Sequence, residues 1–362
     1  MIYIAQPKHT ILAVDVGYGN TKAAWNVQAN PANRLVWSEI GFRSVTPVAS
    51  SADAQDVLRG LNRVVVSVNG EHFFVGPEAT IEGGTRSRKA DFTTSPEHEA
   101  LLCGAWHYMW QETGQVSDSV DLLVLGLPVS GFRAKRGQLT ALGKQTHRVP
   151  VPHVYGNGNR NGNGNGPQDG WLDVTAKEVI VLPQPMGGLR QVMENEKGFD
   201  LMGDDQINVI LDVGYHTLDW FVAFGSKPQF ELSGSFAGGF SQILEKINNQ
   251  IALDHGAGLP GLGMVEQAFY KETMRFESLR ISMEPYKALA KKTAAEVVAR
   301  LLDQSNLKNI NSAQFFVCGG GASAYLEAFK AQMPREKMGV MDNSVMANAR
   351  GYYLTGMDYL EG

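Results

Sequence analysis

The sequence predicts an α/β protein built from two related halves. A phrase near its start, "ILAVDVGYGNTKAAW" (Ile11–Trp25), returns as "VILDVGYHTLDWFVA" (Val209–Ala223), sharing Asp-Val-Gly-Tyr at Asp15–Tyr18 and Asp212–Tyr215. Each copy lies between apolar, β-branched runs and so reads as strand, tight turn, strand. Asp15 and Asp212 are too far apart for a solenoid unit, which leaves duplication of a half-chain. The other segments alternate strand and helix patterns, as a sheet covered by helices requires, and 362 residues suit two domains.

The first half opens with the hairpin and a further strand over Leu35–Ile40. "VVVSVNGEHFFVG" follows as an alternating hairpin turning at Asn69-Gly70. A helix is then expected with Ser95 as N-cap, Pro96 at its first position and Gly114 as its stop. "VDLLVLGLPVSGF" reads as a buried strand ending in a Gly-Pro loop. The run "GNGNRNGNGNG" (Gly156–Gly166) buries too little apolar surface to order itself and reads as a mobile surface loop. It lacks the Lys-Ser/Thr of a P-loop, and no strand leads directly into it. "WLDVTAKEVIVLPQPMGGL" is a strand ending in a loop of Pro183, Gln184, Pro185, Gly187 and Gly188.

The second half begins at the repeated hairpin. Gly238-Gly239 form a turn that opens an amphipathic helix, and a longer helix is expected from about Pro285 to Leu302. "AQFFVCGGGASAYLEAFKAQM" reads as a buried strand, three glycines and a helix, and "DNSVMANARGYYLTG" as a closing helix of small residues.

Apolar residues make up 43% and charged residues 19% of the chain, a soluble globular composition. A net charge of −5 argues against bulk attraction to nucleic acid. The two cysteines, Cys103 and Cys318, are widely separated, and neither a disulfide framework nor a zinc site is expected. With no signal-peptide pattern and no run near the roughly 20 apolar residues of a membrane span, a soluble, cytoplasmic protein is expected.

An Asp at a strand end, followed by Gly where backbone must approach a ligand, can anchor a hydrated divalent cation beside a polyphosphate. In the first copy Thr21 and Lys22 add a hydroxyl and a cation; in the second, Gly214, His216 and Thr217 add donors. The bland alternative is two hairpins whose Asp residues stabilise turns. The repetition, together with three further glycine loops on α/β elements, favours the phosphate reading.

These residues resemble the actin, Hsp70 and sugar-kinase superfamily, in which two duplicated, ribonuclease H-like α/β domains, each a mixed sheet flanked by helices, surround a nucleotide cleft. Its two phosphate motifs resemble Asp15–Lys22 and Asp212–Asp219. Its connecting segments look like "VIVLPQPMGGL" and "SVMANARGYYL", and its adenosine motif like "VCGGGASAYL". Within the superfamily the chain is most similar to plasmid-segregation actins of the ParM/StbA type, through "FFVGPEATIEGGTRSRKADFT" and its size. "LDVGYHTLDWFVA" is also similar to the PRTRC protein D branch of these actins.

The resemblance implies domain I at 1–182 plus 340–362 and domain II at 183–339. It implies ATP, or GTP in its place, with Mg²⁺ held through water by Asp15 and Asp212, and Lys22 near the β-phosphate. Gly17, Tyr18, Gly19, Asn20, Thr21, Gly214, Tyr215, His216, Thr217, Gly238 and Gly239 would wrap the phosphates. Gly319, Gly320 and Gly321 would let the nucleoside approach, with the following helix's N-terminus turned towards it. Gln184 would orient the attacking water, although several segregation actins place Glu near this point.

The expected function is an ATPase assembling into nucleotide-dependent filaments for plasmid or DNA segregation. Self-association is the expected partnership, with a DNA-binding adaptor beside it and neither direct sequence-specific DNA binding nor a membrane. The acid-free run Arg133–Arg148 reads as a solvated helix face, or as a patch for a partner. A small-molecule kinase of the same fold would need an acid beside the acceptor hydroxyl, and the corresponding loop "LGLPVSG" has none. An Hsp70-like chaperone would need a substrate-binding domain, which is not expected here. A nucleotide-switched adaptor that never polymerises is the remaining alternative.

Overall fold

In the computed structural model, which describes residues 9–27, 37–50, 61–79, 91–152, 170–194, 203, 206–310, 312–334 and 337–362, the repeated phrase folds as two hairpins of the same design. Strand β1 (Ile11–Val16) pairs antiparallel with β2 (Asn20–Asn26), and Val16 faces Thr21 at the turn. Further along, Val213 faces Leu218 in the corresponding pair. Both hairpins thus close on a turn of four residues, 17–20 and 214–217.

The chain divides into two compact units, Met1–Gln191 with Asn348–Gly362 and Val192–Ala347. In the first, β3 (Trp37–Arg43) extends the hairpin. A small hairpin, β4 (Val64–Val68) and β5 (Glu71–Val75), turns at Asn69-Gly70, both at positive φ (51° and 83°), the geometry that favours Asn-Gly. Helix α1 (Pro96–Thr113) starts as predicted, with the Ser95 hydroxyl accepting from the His98 N–H, and stops at Gly114. It touches β1, β2, β4, β5 and β7 (His147–Pro150), so it is buried nearly all round and needs no polar face. Strand β6 (Ser119–Leu127) leads into α2 (Val129–Gly143), then β7, then the long β8 (Trp171–Pro183). The sheet order is β3-β2-β1-β6-β8-β7, with β1, β6 and β8 parallel.

One local expectation is corrected here. The segment after Pro183 is no loop: α3 (Gln184–Glu194) begins directly at Gln184. Pro185 is tolerated in a first helical turn because its missing N–H would have no intrahelical partner there. The glycines serve packing instead, since a Cβ on Gly351 would lie 1.8 Å from the Gly187 carbonyl oxygen. That contact brings α3 against the closing helix of small residues.

The second unit repeats the plan. Strands β9 (Ile207–Val213) and β10 (Leu218–Phe224) form the hairpin, and the short β11 (Lys227–Pro228) and β12 (Gly234–Phe236) both pair with β10. Helices α4 (Ser241–His255) and α5 (Leu262–Lys271) follow, then the hairpin β13 (Thr273–Phe276) and β14 (Leu279–Ser282). The predicted long helix is α6 (Lys287–Gln304), preceded by a 3-10 turn over Glu284–Tyr286. Strand β15 (Gln314–Cys318), α7 (Ala322–Gln332) and β16 (Lys337–Val340) complete the unit. As β1 does with β6, β9 pairs parallel with β15, which pairs parallel with β16. Because β16 belongs to this sheet, the chain returns to the first unit at 347/348, later than the expected 339/340, and ends in α8 (Ala347–Glu361).

Each unit has its own apolar core. Trp25, Leu101, Trp106, Trp110 and Leu123 lie in the first, and Leu211, Val222, Ile247, Phe315 and Phe329 in the second. No helix among the described residues is long and apolar enough to cross a membrane. The Gly/Asn run 156–166 and residues 80–90 of the basic stretch lie outside the described residues.

Candidate functional site

In the first unit Asp15, near the end of β1, stands in register with Lys22 on β2. The Lys22 Nζ donates to Asp15 Oδ2 at 2.8 Å, and Gln184 Nε2, at the start of α3, donates to Oδ1 at 2.8 Å. All three side chains are buried. A buried carboxylate is tolerated when a cation and a further donor satisfy it, and both are supplied here. Below them the turn closes through Gly17 N–H to the Asn20 carbonyl at 3.2 Å, while the Ser44 N–H donates to the Gly19 carbonyl at 3.0 Å. Tyr18 stacks on Phe92 with ring centroids 5.0 Å apart; burial, then the Asp91 carboxylate, raises its phenol pKa.

Thr21 has a hydrogen-bond partner within its own unit. It is fully buried, and its hydroxyl shares a 2.9 Å hydrogen bond with Ser44 Oγ. Strand alternation turns it into the unit, because Lys22 occupies the face that carries Asp15.

His98, from the first turn of α1, also stands near Asp15. Both its ring nitrogens are buried without a hydrogen-bond partner among the described residues, and the ring packs edge-on to Phe92 at 5.3 Å. Burial pulls its pKa from 6.5 to about 4, with Asp15 acting in the opposite direction. The unfolded chain therefore takes up a proton that the folded one refuses. Stability is full above about pH 6.5 and is expected to fall by about 3 kcal/mol as pH drops through the interval to about 4. In urea titrations across that window, His98→Leu should have a flatter stability profile than the wild type; equal slopes would exclude His98 as the cause.

In the second unit three turns interlock. Gly214 N–H donates to the Thr217 carbonyl at 2.9 Å, closing the hairpin turn. The Gly239, Phe240 and Ser241 N–H groups donate to the carbonyls of His216, Gly214 and Tyr215 at 3.0, 3.0 and 2.8 Å. Gly321 N–H donates to the Val213 carbonyl at 2.9 Å, and His216 Nδ1 lies 3.2 Å from Ser241 Oγ. Tyr215, His216 and Thr217 are half-buried, so this turn is reachable from solvent. The fully buried Tyr325 donates from its hydroxyl to the Gly239 carbonyl at 3.0 Å, and burial keeps that phenol neutral by raising its pKa.

The glycines of the adenosine-like turn have a reason within the protein. Gly319 has φ +89°, and a Cβ there would lie 2.4 Å from Asp212 Oδ1. A Cβ on Gly321 would lie 2.7 Å from Val213 Cγ1, and one on Gly239 2.5 Å from the Tyr215 carbonyl oxygen. Close approach of turn to turn is enough to demand glycine at these positions. Gly320 is half-buried, and its carbonyl accepts from the Tyr270 hydroxyl at 3.2 Å.

Asp219 lies outside the predicted site residues. It is buried and faces Asp212 in register, the position that Lys22 holds opposite Asp15. Side chains directly opposite on antiparallel strands are roughly 5 Å apart at Cβ, so one turn pairs acid with base and the other acid with acid. Two buried carboxylates form an all-oxygen, anionic set that suits a hard divalent cation such as Mg²⁺. The signal for Asp219 lay in the repeat itself, one residue-by-residue comparison away.

The sequence matches two family models, "Actin like proteins N terminal domain" over residues 13–187 and "Archaeal actin homologue MreB-like, C-terminal" over 210–331. No curated protein matches the chain. Among solved structures, the archaeal actin homologue Ta0583 is similar at TM-score 0.73 and 18% identity, covering 96% of this chain and 99% of that one. A complex of the same homologue with ADP has TM-score 0.70 at 18% identity, covering 96% and 99%. A 15-stranded ParM filament from Clostridium botulinum has TM-score 0.73 at 17% identity, covering 97% and 100%.

Proposed function

The chain belongs to the actin-like proteins, and from that premise we propose that it is a cytoplasmic ATPase that binds Mg-ATP and assembles into nucleotide-dependent filaments serving plasmid or DNA segregation. The observation that carries this reading is the duplicated turn, each copy with a buried Asp at its base and a Gly N–H bonded three residues on. The family's ADP-bound member and its ParM filament support nucleotide binding and self-association.

On this reading Asp212 and Asp219 of the second unit offer carboxylates to the water shell of Mg²⁺, and Asp15 is the corresponding carboxylate of the first. Bound magnesium supplies charge neutralisation to the phosphates. Lys22, which lies on Asp15 now, turns its ammonium to the β-phosphate region, exchanging one anion for another. The turns Gly17–Asn20 and Gly214–Thr217, half-buried except at Gly19, offer donors to phosphate oxygens, and Gln184 positions water. The basic run falls on α2 and beyond, with Arg133, Arg136, Lys144 and Arg148 exposed, as a solvated face or adaptor-docking surface would be.

A small-molecule kinase finds no acid in the loop after β6, where Pro128 leads straight into α2. Electron microscopy of the purified protein with and without Mg-ATP tests the proposal. Filaments dependent on nucleotide are expected. Protein that binds ATP yet stays monomeric across salt and concentration series would leave the non-polymerising adaptor.

A further inference from the structure

Where α1 packs on β7, a second constellation lies apart from the phosphate turns. Glu99 and Cys103 are one helical turn apart and share a face of α1. His147 opens β7, and its Nδ1 lies 2.9 Å from Glu99 Oε1. One ligand atom from each of the three lies within 4.8 Å of the other two. Cys103 and His147 are 1% and 0% exposed, and the Glu99 side chain is 18% exposed. The sequence gives no hint of this group, because His147 is remote from the cysteine in the chain and only the docking of β7 on α1 unites them.

We propose that Glu99, Cys103 and His147 form a binding site for a borderline-soft divalent cation of the Zn²⁺ class. One sulfur, one nitrogen and one carboxylate oxygen make up a zinc-type donor set, and water can take the fourth, tetrahedral position. A thiolate ligand disfavours Mg²⁺, so this site and the all-oxygen pair at Asp212 and Asp219 select different ions. The charges also close: thiolate and carboxylate together neutralise a dication, leaving no net charge in a buried place.

Without metal the site is poorly satisfied. Burial, then the Glu99 carboxylate, pushes the Cys103 thiol pKa up, and His147 Nε2 has no hydrogen-bond partner among the described residues. On binding, the Cys103 S–H bond breaks, its proton leaves to solvent and the sulfur electron pair goes to the ion. The His147 ring proton resides on Nε2, freeing the Nδ1 lone pair for the ion, and Glu99 exchanges its hydrogen bond to Nδ1 for coordination. One proton is released per ion bound. The bound ion ties α1 to β7 and therefore stabilises the first unit.

Cobalt titration of the full chain, stripped beforehand with chelator, tests this. One equivalent of Co²⁺ is expected to produce a thiolate-to-metal charge-transfer band that Zn²⁺ abolishes by displacement and excess Mg²⁺ leaves intact. Zn²⁺ should raise the melting temperature. Cys103→Ala should lose both responses, Cys318→Ala, which removes the other buried thiol, should keep both, and Glu99→Gln should weaken binding by about tenfold or more. A wild-type protein with no charge-transfer band, or folded Cys103→Ala binding cobalt as the wild type does, would overturn the site. The wild-type and Cys318→Ala titrations decide the matter even where Cys103→Ala does not fold.

Discussion

Asp212→Asn is expected to lower Mg²⁺-dependent ATP affinity by about 10- to 100-fold while leaving the nucleotide-free protein at least as stable as the wild type. The asparagine keeps the shape of the side chain, which matters because the carboxylate packs against Gly319, where even a Cβ would lie 2.4 Å away. What is lost is charge. A charge-assisted contact to an ion's water shell contributes roughly 1.5–3 kcal/mol, which sets the size of the effect. What is relieved is the opposition of Asp212 to Asp219, two buried acids in register across β9 and β10. Binding therefore weakens as repulsion falls, a pattern that general misfolding would not give. Calorimetric ATP titrations with Mg²⁺ and with EDTA, alongside thermal melts, read both halves. A folded variant with wild-type affinity would remove Asp212 from the site.

The contrast between the two turns explains why sequence reading reached so far and then stopped. Strand, turn and helix are local matters: Asn69-Gly70, the Ser95 cap and the repeated Asp-Val-Gly-Tyr each carry their geometry in a few residues, and the structure has all of them. The two-unit plan follows from the repeat. Local patterns say less where distant segments decide. Pro-Gln-Pro followed by two glycines reads as a loop, yet becomes α3 because Gly187 lets α8 approach to contact at Gly351. Thr21 looks like a phosphate ligand beside Lys22, but the partner that claims its hydroxyl, Ser44, is on the segment after β3. Glycines at 239, 319 and 321 read as ligand contacts in the sequence, and turns from separate parts of the second unit also press against them. The group Glu99, Cys103 and His147 is the extreme case, since no spacing rule joins a helix face to a strand beyond the next crossover.

Gln184→Ala is expected to retain ATP binding and filament assembly but to slow phosphate release by about a hundredfold, lengthening filament life. Gln184 Nε2 now donates to Asp15 Oδ1 at 2.8 Å, and the side chain is buried at the junction of β8 and α3, so its amide is held on a rigid support. An amide is too weak a base to take a proton, and its use would be to orient water for in-line attack, an interaction formed chiefly in the transition state. Losing such a group typically costs two or more powers of ten in rate. Affinity should change little, because the phosphate turns are untouched and Lys22 still satisfies Asp15 until nucleotide arrives. Assembly needs only that nucleotide bind the polymer-competent state better than the alternative, which precedes hydrolysis; disassembly follows it. Light scattering and phosphate release recorded on one sample separate the two steps. A variant that assembles and hydrolyses at the wild-type rate would leave Gln184 as a structural prop for Asp15, and one that no longer binds ATP would place it in binding instead.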